Sequence, residues 1–166
     1  MGTNSKSSPA INRKAIHDAG VLIVQPDVEV ATSWRDALLD FGMSGARIVP
    51  DADGAVDAIK AKRPSGIVIA LPTQADSHDL MARLAIGETG HIEDIPVILV
   101  MSKPTRSSVI AAAGVGFDAV LPFPLAPRLI YRRMGSLMQK ARRLARLRPA
   151  PHLTLVESLE PETTAH

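Results

Sequence analysis

The sequence predicts an α/β domain built on a parallel sheet with helices on both faces. Three observations carry this. Gly20–Val24, Gly66–Leu71 and Pro96–Met101 are short, β-branched and apolar without alternation, as strands buried on both faces are. Segments with apolar residues at helical spacing separate them. The chain has 166 residues, 46% apolar and 22% charged, which suits one ordinary folded core and not a disordered chain.

The elements follow in order. The first strand, Gly20–Val24, ends at Gln25-Pro26. From Asp27 to about Phe41, the residues Val30, Trp34, Ala37, Leu38 and Phe41 mark a helix that Gly42 closes, with Trp34 on its inner stripe. Ala46–Val49 is a brief second strand, and Asp51 and Asp53 at its end suit turn chemistry and helix capping. A short helix then runs over Ala55–Ala61. Gly66–Leu71 is the third strand, stopped by Pro72, and a helix is expected from about His78 to Ile86. A polar loop leads to the fourth strand, Pro96–Met101, and a helix over Thr105–Ala113. Phe117–Leu121 reads as a fifth strand, and Pro127 opens a long last helix to about Leu147, proline being favoured in a first turn. Five such units give a doubly wound, flavodoxin-like sheet of strand order 2-1-3-4-5, whose ligands sit beyond the carboxyl ends of the strands. Residues 1–17 are expected to form a disordered lead, 18–148 the domain and 149–166 a Pro- and Thr-rich disordered tail.

Composition excludes several functions. The chain has no cysteine, so disulfides, thiolate zinc sites and cysteine nucleophiles are out, and a reducing cytoplasm is the expected compartment. The opening stretch has no apolar segment suited to a secretory signal, and no run reaches the length of a membrane span. Aromatics are 3% of residues, too few for a base-stacking surface. The five histidines are scattered without metal-ligand spacing, and no Gly-rich phosphate loop occurs. Neither a metal nor a cofactor is expected.

From Gly20 to Leu147 the chain resembles the receiver domain of bacterial two-component response regulators. The likeness lies in register: Val21–Val24 is similar to the family's first strand, Arg63–Ala70 to its third, Ile95–Val100 to its fourth, and Ala112–Asp118 to the turn before its fifth. Pro124 matches the proline that follows the family's lysine. The resemblance implies a pocket in which an aspartate takes a phosphoryl group, an acidic pair holds magnesium, and lysine neutralises phosphoryl oxygens. At the matching positions stand Ala70 for the nucleophile, Gln25 and Pro26 for the acidic pair with Asp27 beyond, and Phe123 for the lysine. Met101 stands where a Ser or Thr relay is usual, with Ser102 one position late, and Val120 replaces the aromatic on the fifth strand. A methyl group cannot be phosphorylated. The pattern implies a degenerate, non-enzymatic receiver whose pocket, bordered by Ala70, Leu71, Met101 and Phe123, is apolar and filled with side chains; a small apolar ligand is the alternative.

Charge is distributed unevenly. Twelve acids lie between Asp27 and Asp94, and between Asp94 and Glu157 only Asp118 is acidic. The last helix carries Arg128, Arg132, Arg133, Lys140, Arg142, Arg143 and Arg146, largely off an apolar stripe of Ile130, Met134, Leu137, Met138, Ala141 and Leu144. These cations read either as a solvated face or as a surface for an anionic partner. The expected partner is an acidic protein on the face of the fourth helix, fifth strand and last helix. The alternative is cyclic di-GMP or another polyanion, since Arg128/Arg132 and Arg142/Arg146 have the Arg-x-x-x-Arg spacing that resembles one element of cyclic di-GMP binders. Their companion Asp/Asn-x-Ser-x-x-Gly element is absent. Nucleic acid is the weaker polyanion expectation. A homodimer through that face is disfavoured, because Lys103 and Arg106 meet no acid there and like charges would oppose.

Overall fold

The computed structural model describes residues 20–147; the expected lead and tail lie outside them. Five parallel strands alternate with five helices: β1 Gly20–Val24, α1 Val28–Asp40, β2 Gly45–Val49, α2 Ala52–Ala61, β3 Gly66–Ile69, α3 Gln74–Ala85, β4 Val97–Ser102, α4 Arg106–Val115, β5 Ala119–Phe123 and α5 Pro127–Leu147. The strand order is β2-β1-β3-β4-β5, the doubly wound order expected. Val24 lies opposite Val49 and Ile69, so β1, β2 and β3 end nearly level, and Ser102 lies opposite Phe123.

Alternation within the central strands builds two cores. Leu22, Ile67, Ile69, Val97 and Leu99 point to one face with Val56 and Ile59 of α2, Leu80 and Leu84 of α3 and Ala112 of α4. Val21, Ile23, Val68, Ile98 and Val100 point to the other, with Trp34 and Leu38 of α1 and Ile130, Met134 and Met138 of α5. Trp34 is 3% exposed, a core residue as its place on the stripe requires. Gly66 lets α5 approach the sheet closely: a Cβ there would overlap the Met134 sulfur and lie 3.1 Å from Met138 Cε.

Several boundaries differ from those the sequence predicts, each for a local reason. α2 begins at Ala52 and not Ala55, because the Asp51 carboxylate accepts from Gly54 N at 2.7 Å and caps a polar first turn. Asp53 therefore belongs to the helix and not to the strand end. α3 begins at Gln74, a full turn before His78, with Thr73 Oγ1 accepting from Asp76 N at 3.0 Å. β3 stops at Ile69, leaving Ala70 and Leu71 just beyond it. β5 is Ala119–Phe123 and not Phe117–Leu121. Phe117 lies two residues past the end of α4 and closes its last turn, its N–H donating to Ala112 O, and Gly116 turns the chain with a φ of 119°.

Candidate functional site

The carboxyl edge of the sheet holds a cleft of about 330 Å³, built by the segments that follow β1 and β3, the ends of β4 and β5, and the first turn of α3. After β1, Gln25 N donates to Val49 O at 3.0 Å, and the Gln25 side chain, 7% exposed, accepts from Asp27 N at 3.0 Å. Asp27 is the N-cap of α1: its Oδ1 accepts from Glu29 N at 3.0 Å and Val30 N at 3.2 Å. A carboxylate so placed balances the positive end of the helix.

After β3, Ala70 N donates to Val24 O at 2.8 Å, which holds its methyl group at the cleft with 8% exposure. Met101 and Ser102 reach it from β4 and Phe123 from β5. Phe123 is 38% exposed and meets Trp34 edge-on, with ring centroids 6.3 Å apart. The Phe123–Pro124 peptide is cis. Beyond β4 the chain turns sharply through Lys103 at a φ of 47°, a left-handed conformation uncommon for a residue with a side chain.

Thus Gln25, Asp27, Ala70, Met101, Ser102 and Phe123 converge, whereas Pro26 and Pro124 do not border the cleft. Pro26 faces a separate depression beside Pro50, Asp51 and Pro72. The cleft is open and of mixed polarity, a correction to the filled, apolar pocket expected. Six of its residues are not among those the sequence assigns to the pocket: Val30, Pro72, Thr73, Gln74, Ser77 and Val100. Gln74 Nε2 donates to Ser108 O at 3.1 Å and lies 3.1 Å from His78 Nε2, tying α3 to α4. Ser77 is 1% exposed, and its hydroxyl has no hydrogen-bond partner. Such a group costs about 1–3 kcal/mol when left unsatisfied. The signal for it in the sequence is Thr73, an N-cap residue that starts the helix early and brings Ser77 one turn in.

No Lys, Arg or His borders this cleft, and its one carboxylate already caps α1. Magnesium wants several carboxylate oxygens; among the described residues no three His, Cys, Asp or Glu stand together as a metal set. The amide of Gln25 and the capping carboxylate of Asp27 do not fit that ion.

The charged surfaces lie elsewhere. On α5, Ile130, Met134 and Met138 are buried, while Arg128, Arg132, Arg133, Lys140, Arg142, Arg143 and Arg146 are exposed. Leu144 departs from the inner stripe and is half exposed. Among the described residues none of these seven cations forms an ion pair; the pairs present are Arg35–Asp36, Arg83–Asp53 and Arg83–Glu88. Lys103 and Arg106 are likewise exposed at the start of α4, beside exposed Val109 and Ile110. Arg142 shares a groove of about 380 Å³ with Arg63 at the opposite edge of the sheet. The α2–α3 side is acidic, and there Arg83 bridges Asp53 at 2.9 Å and Glu88 at 2.8 Å. The hydrogen bond from Arg83 holds the Glu88 carboxyl below the usual carboxylate range, and the same bonds push Arg83 up. Among the described residues no helix is long and apolar enough to cross a membrane.

No family model matches the chain. A curated relative, the response regulator MprA of Mycolicibacterium vanbaalenii, is 27% identical over 121 residues, covering 72% of this chain and 50% of that protein. The chain spans about half the length of the curated relatives it matches. Among solved structures, the receiver domain of a putative LuxO repressor protein from Vibrio parahaemolyticus has a TM-score of 0.68 at 13% identity, covering 80% of this chain and 99% of that one. The chemotaxis response regulator CheY4 of Vibrio cholerae has a TM-score of 0.65 at 14% identity, covering 72% and 98%. The strand order, the helices on both faces and these likenesses agree: the described residues have the flavodoxin-like fold that CheY-like receiver domains share.

Proposed function

We propose that this chain is a receiver-like regulatory module that acts without phosphorylation, docking an acidic protein partner on the surface of α4, β5 and α5. The observation that carries the docking surface is the row of exposed α5 cations without an ion pair among the described residues, continued by Lys103 and Arg106 of the α4 region. Exposed Val109 and Ile110 on α4 supply apolar area beside that charge, the mixture that protein interfaces use. Independence from phosphorylation is supported by Ala70 at the position the family gives its nucleophile, and by the absence of a cation around the cleft. A methyl group offers no lone pair to attack phosphorus.

The test is affinity capture from the source cell with the native chain and with Arg132, Arg133, Arg142 and Arg143 changed to Glu. A protein retained by the native chain and lost with the charge-reversed one supports the reading; identical capture by both contradicts it. Two copies joined through this face would oppose like charges, so the chain is expected to sediment without such a dimer at low salt.

A second reading rests on the groove that Arg63 and Arg142 share with Asp94, where a phosphate-bearing molecule such as cyclic di-GMP would meet the Arg142 guanidinium and that of Arg63, which also donates to His91 O. Calorimetry separates it from the first. Saturable binding of cyclic di-GMP, lost in Arg142→Glu, favours the nucleotide. Binding of duplex DNA with steep salt dependence would point to a nonspecific polyanion surface.

A further inference from the structure

We infer that a second copy of this chain docks head to tail, the carboxyl end of α5 in one copy seating in the acid-rimmed groove between α2 and α3 of the other. The contact goes beyond the proposed docking surface, and either can hold without the other. Its first half is the last two turns of α5. That helix outruns the core: every residue from Arg142 to Leu147 is exposed. Leu144 is 50% and Leu147 80% exposed, so the apolar stripe continues past the domain largely uncovered. Residues three and four apart share a helix face, which sets Lys140 and Arg143 beside these leucines. Neither cation has an ion pair among the described residues.

The second half is a groove of about 490 Å³. Pro26, Pro50 and Pro72, which follow β1, β2 and β3, line it with Leu71. These prolines make the wall apolar and stiff, with little backbone freedom to lose on binding. Asp76 and Asp79 of α3 rim the groove, are exposed and have no ion pair among the described residues. Arg83, its one cation, is already held by Asp53 and Glu88. An apolar wall under a negative rim complements leucines flanked by cations. Within one chain the two cannot meet. The groove lies at the carboxyl ends of the strands on the α2–α3 face, whereas α5 packs on the other face and ends at the amino edge, where Arg142 lies beside Arg63 and Ser65. Between two copies opposite charges face each other, so the repulsion that disfavours the symmetrical dimer does not arise. Each copy keeps one groove and one helix end unoccupied, so association runs on as an open chain unless its rotation closes a ring.

Sedimentation velocity of the intact chain is the test. A contact made by two helical turns belongs with interfaces below about 1,200 Å², so a dissociation constant between about micromolar and millimolar is expected. At about 0.01 M ionic strength the sedimentation coefficient should rise with concentration. At about 0.15 M, where the screening length falls from about 30 Å to about 8 Å, association should weaken at least about tenfold. Arg143→Gln with Leu147→Gln disables the helix end, and Asp76→Lys with Asp79→Lys disables the groove. Each double variant should stay monomeric alone. Their mixture should form a one-to-one pair and nothing larger, because one intact groove meets one intact helix end. A native chain that stays monomeric at millimolar concentration and low salt, association persisting in either variant alone, or a mixture that remains monomeric would each overturn the inference. The salt dependence of the native chain needs no variant and decides alone if a substitution impairs folding. The groove variant keeps every α5 cation, so the docking surface is tested independently.

Discussion

In the middle of the sheet Leu22, Ile67 and Leu99 are wholly enclosed between strands and helices, while a few residues further along the chain from each, Gln25, Ala70 and Ser102 border an open cleft. The first set is confined by neighbours on both faces, so only an apolar side chain of about the right volume is tolerated. The second set borders the cleft: Gln25 and Ala70 are nearly buried, Ser102 is exposed, and each has the cleft beside it. Residues there can change without disturbing the packing that holds the strands. That difference explains how a chain can keep a receiver fold while carrying Ala70, Gln25 and Phe123 where the resemblance implies an aspartate, an acid and a lysine.

The contrast between interior and cleft shows most strongly in stability. Leu99→Ala should cost about 2–5 kcal/mol, because the hole lies between β3, β5 and the α3–α4 layer and cannot collapse freely. Chemical denaturation measures it, and a loss below about 1 kcal/mol would show the interior to be looser than its burial indicates. At the cleft the sign reverses. Ser77→Ala should stabilise the free chain by about 1 kcal/mol, since it removes a buried hydroxyl that nothing satisfies. A loss of stability there would mean that the hydroxyl is paired in solution.

The smallest effect belongs to the acidic side. Glu88 is held below the usual carboxylate range by Arg83, so the folded state binds its proton less readily than the unfolded chain does. Its contribution is therefore fully present above the ordinary carboxylate range and is lost as pH falls through the depressed folded value. Glu88→Gln should lower the thermal midpoint slightly at neutral pH, and the gap to the native chain should close in acid. Both partners are partly exposed, which keeps the difference small. A gap that widened in acid would contradict the assignment.

How much is legible in the sequence follows the same division. Strands β1, β3 and β4 are readable because a fully apolar, β-branched run bounded by Gly or Pro fits little besides a buried strand. The last helix, α5, is readable because Pro127 and the apolar stripe mark its start and its inner face. β5 is displaced because Phe117 is apolar and buried, yet it serves the end of α4; burial alone does not distinguish a helix terminus from a strand. The first turn of α3 escapes because Gln74, Ala75 and Asp76 are polar or small, and only the Thr73 cap declares them helical. With that turn goes Ser77, a buried hydroxyl beside the cleft with no hydrogen-bond partner. Gln25, Asp27, Ala70, Met101, Ser102 and Phe123 are found by matching register, and the cleft gathers all six. That the cleft stays open depends on side-chain volumes meeting across four elements, which no local pattern records.

The proposed loss of phosphoryl chemistry is tested most directly by intact mass after incubation with acetyl phosphate and magnesium, the native chain beside an active receiver as control. The control is expected to gain one phosphoryl group and this chain none, since the methyl of Ala70 cannot attack phosphorus. A stable phosphoryl adduct on this chain, mapped to Asp27 or any other residue bordering the cleft, would contradict it.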